Sequence, residues 1–428
     1  MLLGICGVIT IAVCVFFKES RAGIQLRAAR DDDLASLSMG VANKRVNLLA
    51  WVLSAAIAAT AGVLLTHVLG AAGPRNFFLV LSVELFAMLV LGGQRSVSGS
   101  FVGALLVSCI VLYVRKIEGG VDLGFIELPA MFGITQMVLA GAILLILYLR
   151  PQGLFNLFEL RMPGLAGKAP QPEPLEKIEL HTGGGLEISD LSKHFGGLEA
   201  LDGISGDVQP GQIIGLIGPN GAGKSTLINT VMGGYFATRG SISINGHDAT
   251  TWSAYKLARE GIGRTFQQIK LFGSLTVVEN VMVPQSVVTA HGVNLEAEAL
   301  GWLKRLGVDH LAGRFPDELS YGDRRRVEIA RALALHPTYL LLDEPAAGMN
   351  HDETDELRQL LTDIRDQYGV GILIVEHDLP LIMTMCDHIM VINRGRMIAE
   401  GTPEEVQSNP EVIDAYIGSD PVEEGASA

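Results

Sequence analysis

The chain has 428 residues, which at roughly 150 residues per domain suggests about three domain-sized units. Charged residues make up 18% of it, against about 25% in ordinary soluble domains, while 49% are hydrophobic and the mean hydropathy is +0.35. So apolar a chain, with net charge −14, is neither disordered nor a nucleic-acid binder over its whole length.

The charges are unevenly divided. Residues 1–160 hold 11 Lys and Arg against 9 Asp and Glu, a balance of +2, whereas 161–428 carry −16. An apolar membrane part over 1–160 therefore precedes an acidic soluble part. Cys6, Cys14, Cys109 and Cys386 are too scattered for disulfide or zinc spacing, which favours a reduced, cytoplasm-facing soluble half.

A helix needs about 20 apolar residues to span a bilayer core, and segments 1–17, 46–69, 77–93, 98–114 and 130–149 approach that length. Segment 1–17 has no basic stretch after Met1 and no small-residue cleavage site, so a retained helix is expected rather than a signal peptide. Lys18, Arg21, Arg27, Arg30, Lys44 and Arg45 crowd the 18–45 loop and Arg150 follows the last span, which places both on the cytoplasmic side. Five crossings then leave Met1 outside, and further helices upstream of it are expected.

Within 27–40, Asp32 and Asp33 sit near a helix start, Leu34 and Leu37 share a face, and Gly40 can end the helix. The stretch is either a short amphipathic helix able to dock on a partner or a solvated charged loop. Glu84, in Ser82-Val83-Glu84-Leu85-Phe86, is ionisable within an apolar span, and belongs either to a water-filled path or to a structural hydrogen bond with a neighbouring helix. The small residues of 92–104 predict close helix packing.

Residues 161–185 contain four prolines and five glycines without an apolar period and form a linker. From Leu186, strand-like runs at 186–189, 213–217, 241–244, 339–342, 372–375 and 389–392 alternate with helical stretches. That alternation argues an α/β domain over 186–420 with a largely parallel central sheet, followed by a tail at 421–428.

After the apolar run Ile213–Ile217 come Gly218, Pro219, Asn220, Gly221, Ala222, Gly223, Lys224, Ser225 and Thr226, then an apolar helix start. This is a phosphate-binding loop in its required context of strand, loop and helix. Its glycines let backbone N–H groups curl around β- and γ-phosphates, Lys224 supplies a point charge, and the Ser225 hydroxyl reaches Mg²⁺. Asp343 and Glu344 end another apolar run, where the first acid can hold Mg²⁺ and the second can polarise a water for attack on the γ-phosphate. His377, at the end of Ile372–Val375, is either a γ-phosphate sensor or an ordinary hydrogen-bonding residue.

The order of Gly218–Ser225, Thr265-Phe266-Gln267, Leu319-Ser320-Tyr321-Gly322-Asp323, Asp343-Glu344 and His377 resembles the ATPase domain of ABC transporters. The resemblance implies binding of ATP and Mg²⁺ in a two-copy sandwich, with Ser320 and Gly322 of one copy touching the γ-phosphate held by the other. It implies that Gln267 sits at the Mg²⁺ and water and relays to the membrane part. Phe195, before Gly196-Gly197, stacks on adenine or is an ordinary apolar residue. Tyr321 and Ala346–Asn350 look like the ATPases of branched-chain amino-acid importers, whereas Asp323, where Gln is usual, departs from the general pattern.

Residues 20–155 resemble the latter part of that system's permease, with matches at Arg27–Gly40, Ser82-Val83-Glu84, Leu91-Gly92-Gly93 and Arg150–Phe155. Arg95 and Ser100 stand where small or Pro residues are expected. By this likeness Asp31–Gly40 is a coupling helix that docks near Gln267. The fold expected is a bundle of about five transmembrane helices joined to an α/β phosphate-loop ATPase with a helical subdomain. The implied partners are a second permease subunit, a second ATPase subunit, an extracytoplasmic solute-binding protein and membrane lipid, with no nucleic acid. The implied place is a bacterial-type inner membrane with the ATPase in the cytoplasm. An importer of another small solute (urea, amides, aromatic acids) or a truncated, inactive fusion is compatible with the same motifs.

Overall fold

The computed structural model describes residues 2–70, 73, 79–118, 121–122, 127–128, 133–151, 153–155, 172, 184–290 and 292–417. The expected linker falls outside the described residues except at 172, 184 and 185, and the expected tail falls outside them altogether. The chain forms two compact units, one of Met1–Ser20 with Leu48–Ala169 and one of Arg21–Asn47 with Pro170–Ala428. Residues 21–47, placed with the membrane part by charge counting, thus fold with the soluble part.

In chain order the first elements are α1 (Leu2–Glu19), α2 (Arg21–Asp31), α3 (Asp33–Ser38), α4 (Asn43–Leu69), α5 (Leu79–Gly92), α6 (Val97–Glu118), the short antiparallel pair β1 (Val121–Asp122) and β2 (Glu127–Leu128), and α7 (Ile134–Leu149). Each of the five apolar segments is a helix. By length and composition α4 and α6 can cross a membrane, while α5 and α7 are shorter apolar helices of 14 and 16 residues.

The first unit packs around Ala87, Leu91, Val107, Val111 and Leu139. Its helices approach closely through glycine: a Cβ on Gly92 would stand 2.1 Å from the Gly99 carbonyl, and one on Gly103 would stand 2.1 Å from that of Met88. The packing is tight even though Arg95 and Ser100 replace smaller residues. Leu154 and Phe155 donate their N–H groups to the carbonyls of Leu91 and Gly92, tying the chain after α7 to the end of α5. Glu84 pairs with Arg115 of α6 at 3.1 Å, so the neighbouring helix supplies its partner.

The soluble unit continues with β3 (Leu186–Phe195), β4 (Leu198–Val208), β5 (Ile213–Ile217), α8 (Lys224–Val231), β6 (Arg239–Ile244), β7 (His247–Asp248), α9 (Ala254–Arg259) and β8 (Ile262–Arg264). After these come α10 (Val277–Val288), α11 (Leu295–Arg305), α12 (Tyr321–Leu333), β9 (Tyr339–Asp343), α13 (His351–Tyr368), β10 (Gly371–Val375), α14 (Leu379–Met385), β11 (His388–Asn393), β12 (Arg396–Gly401), α15 (Pro403–Ser408) and α16 (Pro410–Ile417).

The central sheet runs β12-β11-β5-β10-β9-β8 and is parallel except for the edge strand β12. Strands β5, β9 and β10 are buried at every residue, which continuous apolar runs such as Ile213–Ile217 require. The strand-like runs at 186–189 and 241–244 belong instead to a second, antiparallel sheet of order β4-β3-β6-β7. Local sequence fixes the helix starts: Thr276 with Glu279 and Asn350 with Glu353 form capping boxes, and Gly369 ends α13 in the left-handed conformation.

Replacing Gly103 by Leu forces α5 and α6 apart, at a cost of about 1–3 kcal/mol by overpacking. Faster proteolysis and a lower melting midpoint of the full-length chain are expected; an unchanged midpoint contradicts the close approach.

Candidate active site

Strand β5 lies at the middle of the sheet and delivers the phosphate-binding loop to its carboxyl end. Gly218 has φ +155° and sits so near the Ile392 carbonyl that a Cβ would be 2.1 Å away. Gly223, at φ +108°, closes on the Ala200 carbonyl of the antiparallel sheet in the same way. Helix α8 starts at Lys224, and the buried Lys224 Nζ donates to the carbonyls of Gly218 (2.6 Å) and Pro219 (3.1 Å). Burial lowers the Lys224 pKa, and the charges of Glu344 and Asp343 oppose that shift. The lysine is thus held inside its own loop, within the field of two carboxylates, where phosphate oxygens can replace the carbonyls.

Strand β9 ends at Asp343, whose backbone N–H donates to Thr265 Oγ1 at 3.4 Å. Burial pushes the Asp343 carboxyl above the usual range, chiefly against the pull of Arg264. Its Oδ1 is buried with no hydrogen-bond partner among the described residues. An orphaned anionic oxygen of this kind fits a cation. Among the described residues no group of three or more His, Cys, Asp or Glu is arranged to hold a metal ion, so Mg²⁺ here would rely on Asp343, a hydroxyl such as that of Ser225 and the nucleotide's own oxygens.

Glu344 follows in the left-handed region at φ +46°. Its N–H donates to the Val375 carbonyl at 2.9 Å, and its Oε2 accepts from Gln267 Nε2 at 3.0 Å. Gln267 therefore reaches the acid expected to act on water. His377 has a side chain 66% exposed, with Nδ1 3.5 Å from Glu376 Oε2.

Three residues not singled out from the sequence support this cluster. Glu376 is buried and accepts from the N–H groups of Ala346 (2.7 Å) and His377 (3.1 Å), which ties the loop after Glu344 to the end of β10; burial raises its carboxyl. Arg264 is buried beside Asn229 Oδ1 at 3.3 Å and over the Phe266 ring at 4.2 Å, with its pKa lowered by burial to about 10. Tyr235 meets Phe195 edge-on, ring centroids 5.1 Å apart, with Lys193 Nζ 4.9 Å from the Phe195 ring. Phe195 is 42% exposed, which leaves a ring face free for a planar base and separates it from ordinary core phenylalanines.

The Ser320–Asp323 segment opens α12. Ser320 is the N-cap, accepting from Asp323 N–H at 3.2 Å and donating its Oγ proton to Asp323 Oδ2 at 2.7 Å. The acid found where Gln is usual is therefore the hydroxyl's own partner. Tyr321 is exposed beside Gly348, where a Cβ would lie 3.6 Å from the ring, and Gly322 lies beside Glu353.

The 21–47 segment meets the ATPase through two helices rather than one. Arg21 donates to the carbonyls of Thr289 and Ala290 (both 2.6 Å), Arg27 pairs with Glu279 at 2.9 Å, Asp31 accepts from Ser274 N–H at 2.7 Å, and Asp32 pairs with Lys270 at 3.0 Å. Asp32 also caps α3, accepting from Ala35 N–H at 2.8 Å. Burial works against its charge, but these hydrogen bonds outweigh it and hold the carboxyl below the usual range.

The docking place is Phe266 and Lys270–Ser274 with the adjoining helices, on either side of Gln267, whose own side chain turns to Glu344. The expected apolar face is also different: Leu34 is exposed, and the buried positions are Ala35, Met39 and Val41, packed with Ala258, Phe266, Phe272 and Leu275. Asp33 accepts from Asn43 at the start of α4.

A glycine-rich loop at a central strand end, an adjacent buried aspartate and a glutamate held by glutamine define a phosphate-loop ATPase. A family model described as ABC transporter matches residues 201–347, another described as the permease component of branched-chain amino acid transport systems matches 5–149, and a third, described as branched-chain amino acid ATP-binding cassette transporter, matches 396–422. The high-affinity branched-chain amino acid transport ATP-binding protein BraF of Pseudomonas aeruginosa is 42% identical over 248 residues, covering 54% of this chain and 97% of that protein. LivG of Escherichia coli K12, of the same description, is 40% identical over 248 residues with the same shares covered. A crystal structure of an ABC transporter's ATP-binding cassette in its ADP conformation is 32% identical, with TM-score 0.50, covering 55% of this chain and 99% of that one. The chain belongs to the ABC transporter family and joins a permease component to an ATP-binding cassette.

Two variants separate the roles of Asp32. Asp32→Asn keeps a capping oxygen and loses only the charge, so less than about 1 kcal/mol of stability is expected to go; Asp32→Ala loses cap and ion pair together, with about 1 kcal/mol more from the cap. Melting of the full-length chain checks the order, and equal midpoints for the two variants contradict it.

Proposed function

We propose that this chain couples ATP hydrolysis to the uptake of branched-chain amino acids across a bacterial-type inner membrane, with its cassette in the cytoplasm. The observation that carries the reading is that one chain joins the permease component to a cassette that grips residues 21–47, the segment between the first two apolar helices. BraF and LivG, named for branched-chain amino acid transport, support the choice of solute. A second permease, a second cassette and an extracytoplasmic binding protein complete the assembly, since Ser320 and Gly322 need an opposite nucleotide.

In this reading the N–H groups of 220–226 and Lys224 hold the β- and γ-phosphates, and Phe195 takes the adenine. Ser225 and Asp343 would hold Mg²⁺, which when bound neutralises charge on the phosphate oxygens. Glu344 orients a water in line with the γ-phosphate and accepts its proton, while Gln267 fixes the carboxylate from the other side. His377 swings from Glu376 to the γ-phosphate.

Glu344→Gln is expected to keep ATP binding and lower hydrolysis by about a hundredfold or more, the scale of a lost general base, whereas Lys224→Ala loses both. Unchanged hydrolysis in Glu344→Gln overturns the assignment of the base. The solute is checked in proteoliposomes containing the co-purified subunits and binding protein: ATP-dependent uptake of labelled leucine, isoleucine or valine is expected. Uptake of urea or an amide with none of leucine replaces the proposed solute.

A further inference from the structure

Arg325 stands one turn into α12 with its side chain 0% exposed. Its Nη1 donates to Phe266 O and to Glu328 Oε2, both at 2.7 Å. Its Nη2 faces Gln267 O at 3.1 Å, Tyr321 Oη at 3.3 Å and Glu344 O at 3.4 Å. One planar fork therefore touches the backbone of the glutamine, the backbone of the acid that the glutamine holds, and a side chain of the Ser320–Asp323 segment. Glu328, likewise buried, accepts from the N–H groups of Phe266 and Lys270 at 3.3 Å, and buried Arg331 donates to Lys270 O at 2.7 Å. The 266–270 loop hangs from α12 on this row of buried charges.

We infer that Arg325 is a positioning residue for hydrolysis: it sets Gln267 and Glu344 relative to each other and joins both to the start of α12. The inference rests on the assignment of Glu344 as the base. Glu344 occupies a left-handed conformation that a residue with a Cβ adopts only at a cost of about 1–2 kcal/mol, so surrounding contacts must hold it there. Its backbone is held by three contacts, the Val375 carbonyl on its N–H, and the Ala347 N–H (3.3 Å) and the Arg325 guanidinium on its carbonyl, of which Arg325 alone comes from α12. Lysine does not replace the fork, since its donors radiate from one nitrogen whereas Arg325 serves these carbonyls from two.

The test uses the full-length chain with its co-purified subunits in lipid nanodiscs, carrying Arg325→Lys or Arg325→Met. The methionine variant leaves Glu328 and Arg331 as a balanced pair, so a folded product is expected from at least one of the two. Per folded molecule, kcat is expected to fall about tenfold or more, the scale of lost charged hydrogen bonds, while KM for ATP moves less than about threefold because the phosphate-binding loop is untouched.

In a Gln267→Ala background, Arg325→Lys is expected to cost less than about threefold further, since both side chains act on Glu344. A kcat per folded molecule that stays normal while melting falls, or losses that multiply in full on Gln267→Ala, overturns the inference. Failure of the underlying assignment is seen separately, as hydrolysis surviving in Glu344→Gln.

Discussion

The parallel register of β5, β10 and β9 is the constraint on which the catalytic arrangement depends. Ile372–Val375 pair with Ile213–Leu216 on one side, and Gly371–Val375 with Tyr339–Asp343 on the other, so all three strands end at the same level. Their carboxyl ends deliver the phosphate-binding loop, Glu376 and the Asp343-Glu344 pair to one edge of the sheet. Because β10 separates the other two, the loop and the acids face each other across a gap one strand wide. The fields of Asp343 and Glu344 still reach Lys224 across it. A slip of one residue in either pairing would turn Asp343 to the other face of the sheet and dissolve the site.

Around that edge the domain uses buried charge as a structural material. Arg264, Arg325, Glu328, Arg331, Asp343 and Glu376 are all buried in a half whose surface is strongly acidic. Isolated, each would cost several kcal/mol to desolvate. Most instead spend their hydrogen bonds on backbone groups of loops: Glu376 on Ala346 and His377, Glu328 on Phe266 and Lys270, Arg331 on Lys270, and Arg325 on Phe266 and Gln267. Loops cannot be fixed by apolar burial alone, since their N–H and C=O groups need partners. Among the described residues Asp343 Oδ1 is the one carboxylate oxygen of this set left without a hydrogen-bond partner, alongside the Nε atoms of Arg325 and Arg331 and one Arg331 Nη.

What could be read from the residues follows from this division. Strands buried on both faces were visible as continuous apolar runs, and the phosphate-binding loop as a dense local pattern. Strand β4 was not, since Gly203, Gly206 and its register shifts against β3 break any alternation, and β8 has only three residues. Helix α2 was missed because its buried positions, Gly23, Ile24 and Ala28, make a thin face in an otherwise polar stretch. Arg325 sits in the run Arg324–Arg326, and Arg331 a turn and a half further on, in a stretch indistinguishable by composition from a solvated helix face. The Asp323 substitution became intelligible only through its bond to Ser320, a contact between side chains three apart on a capped turn.

The connection between the cassette and the apolar helices is sharpened by the same reasoning. The fusion at 161–185 is a Pro- and Gly-rich sequence. Residues 21–47 are different: they belong to the cassette's own compact unit, and their chain ends run directly into α1 and α4. Asp32 links Lys270 to the cap of α3, and Asn43, the first residue of α4, donates to Asp33 and Ser36 of α3. One ion pair and several hydrogen bonds therefore run from Lys270 through Asp32 and α3 to Asn43 at the start of α4. In the coupling we propose, this line of contacts is the route by which the 266–270 loop bears on the start of α4.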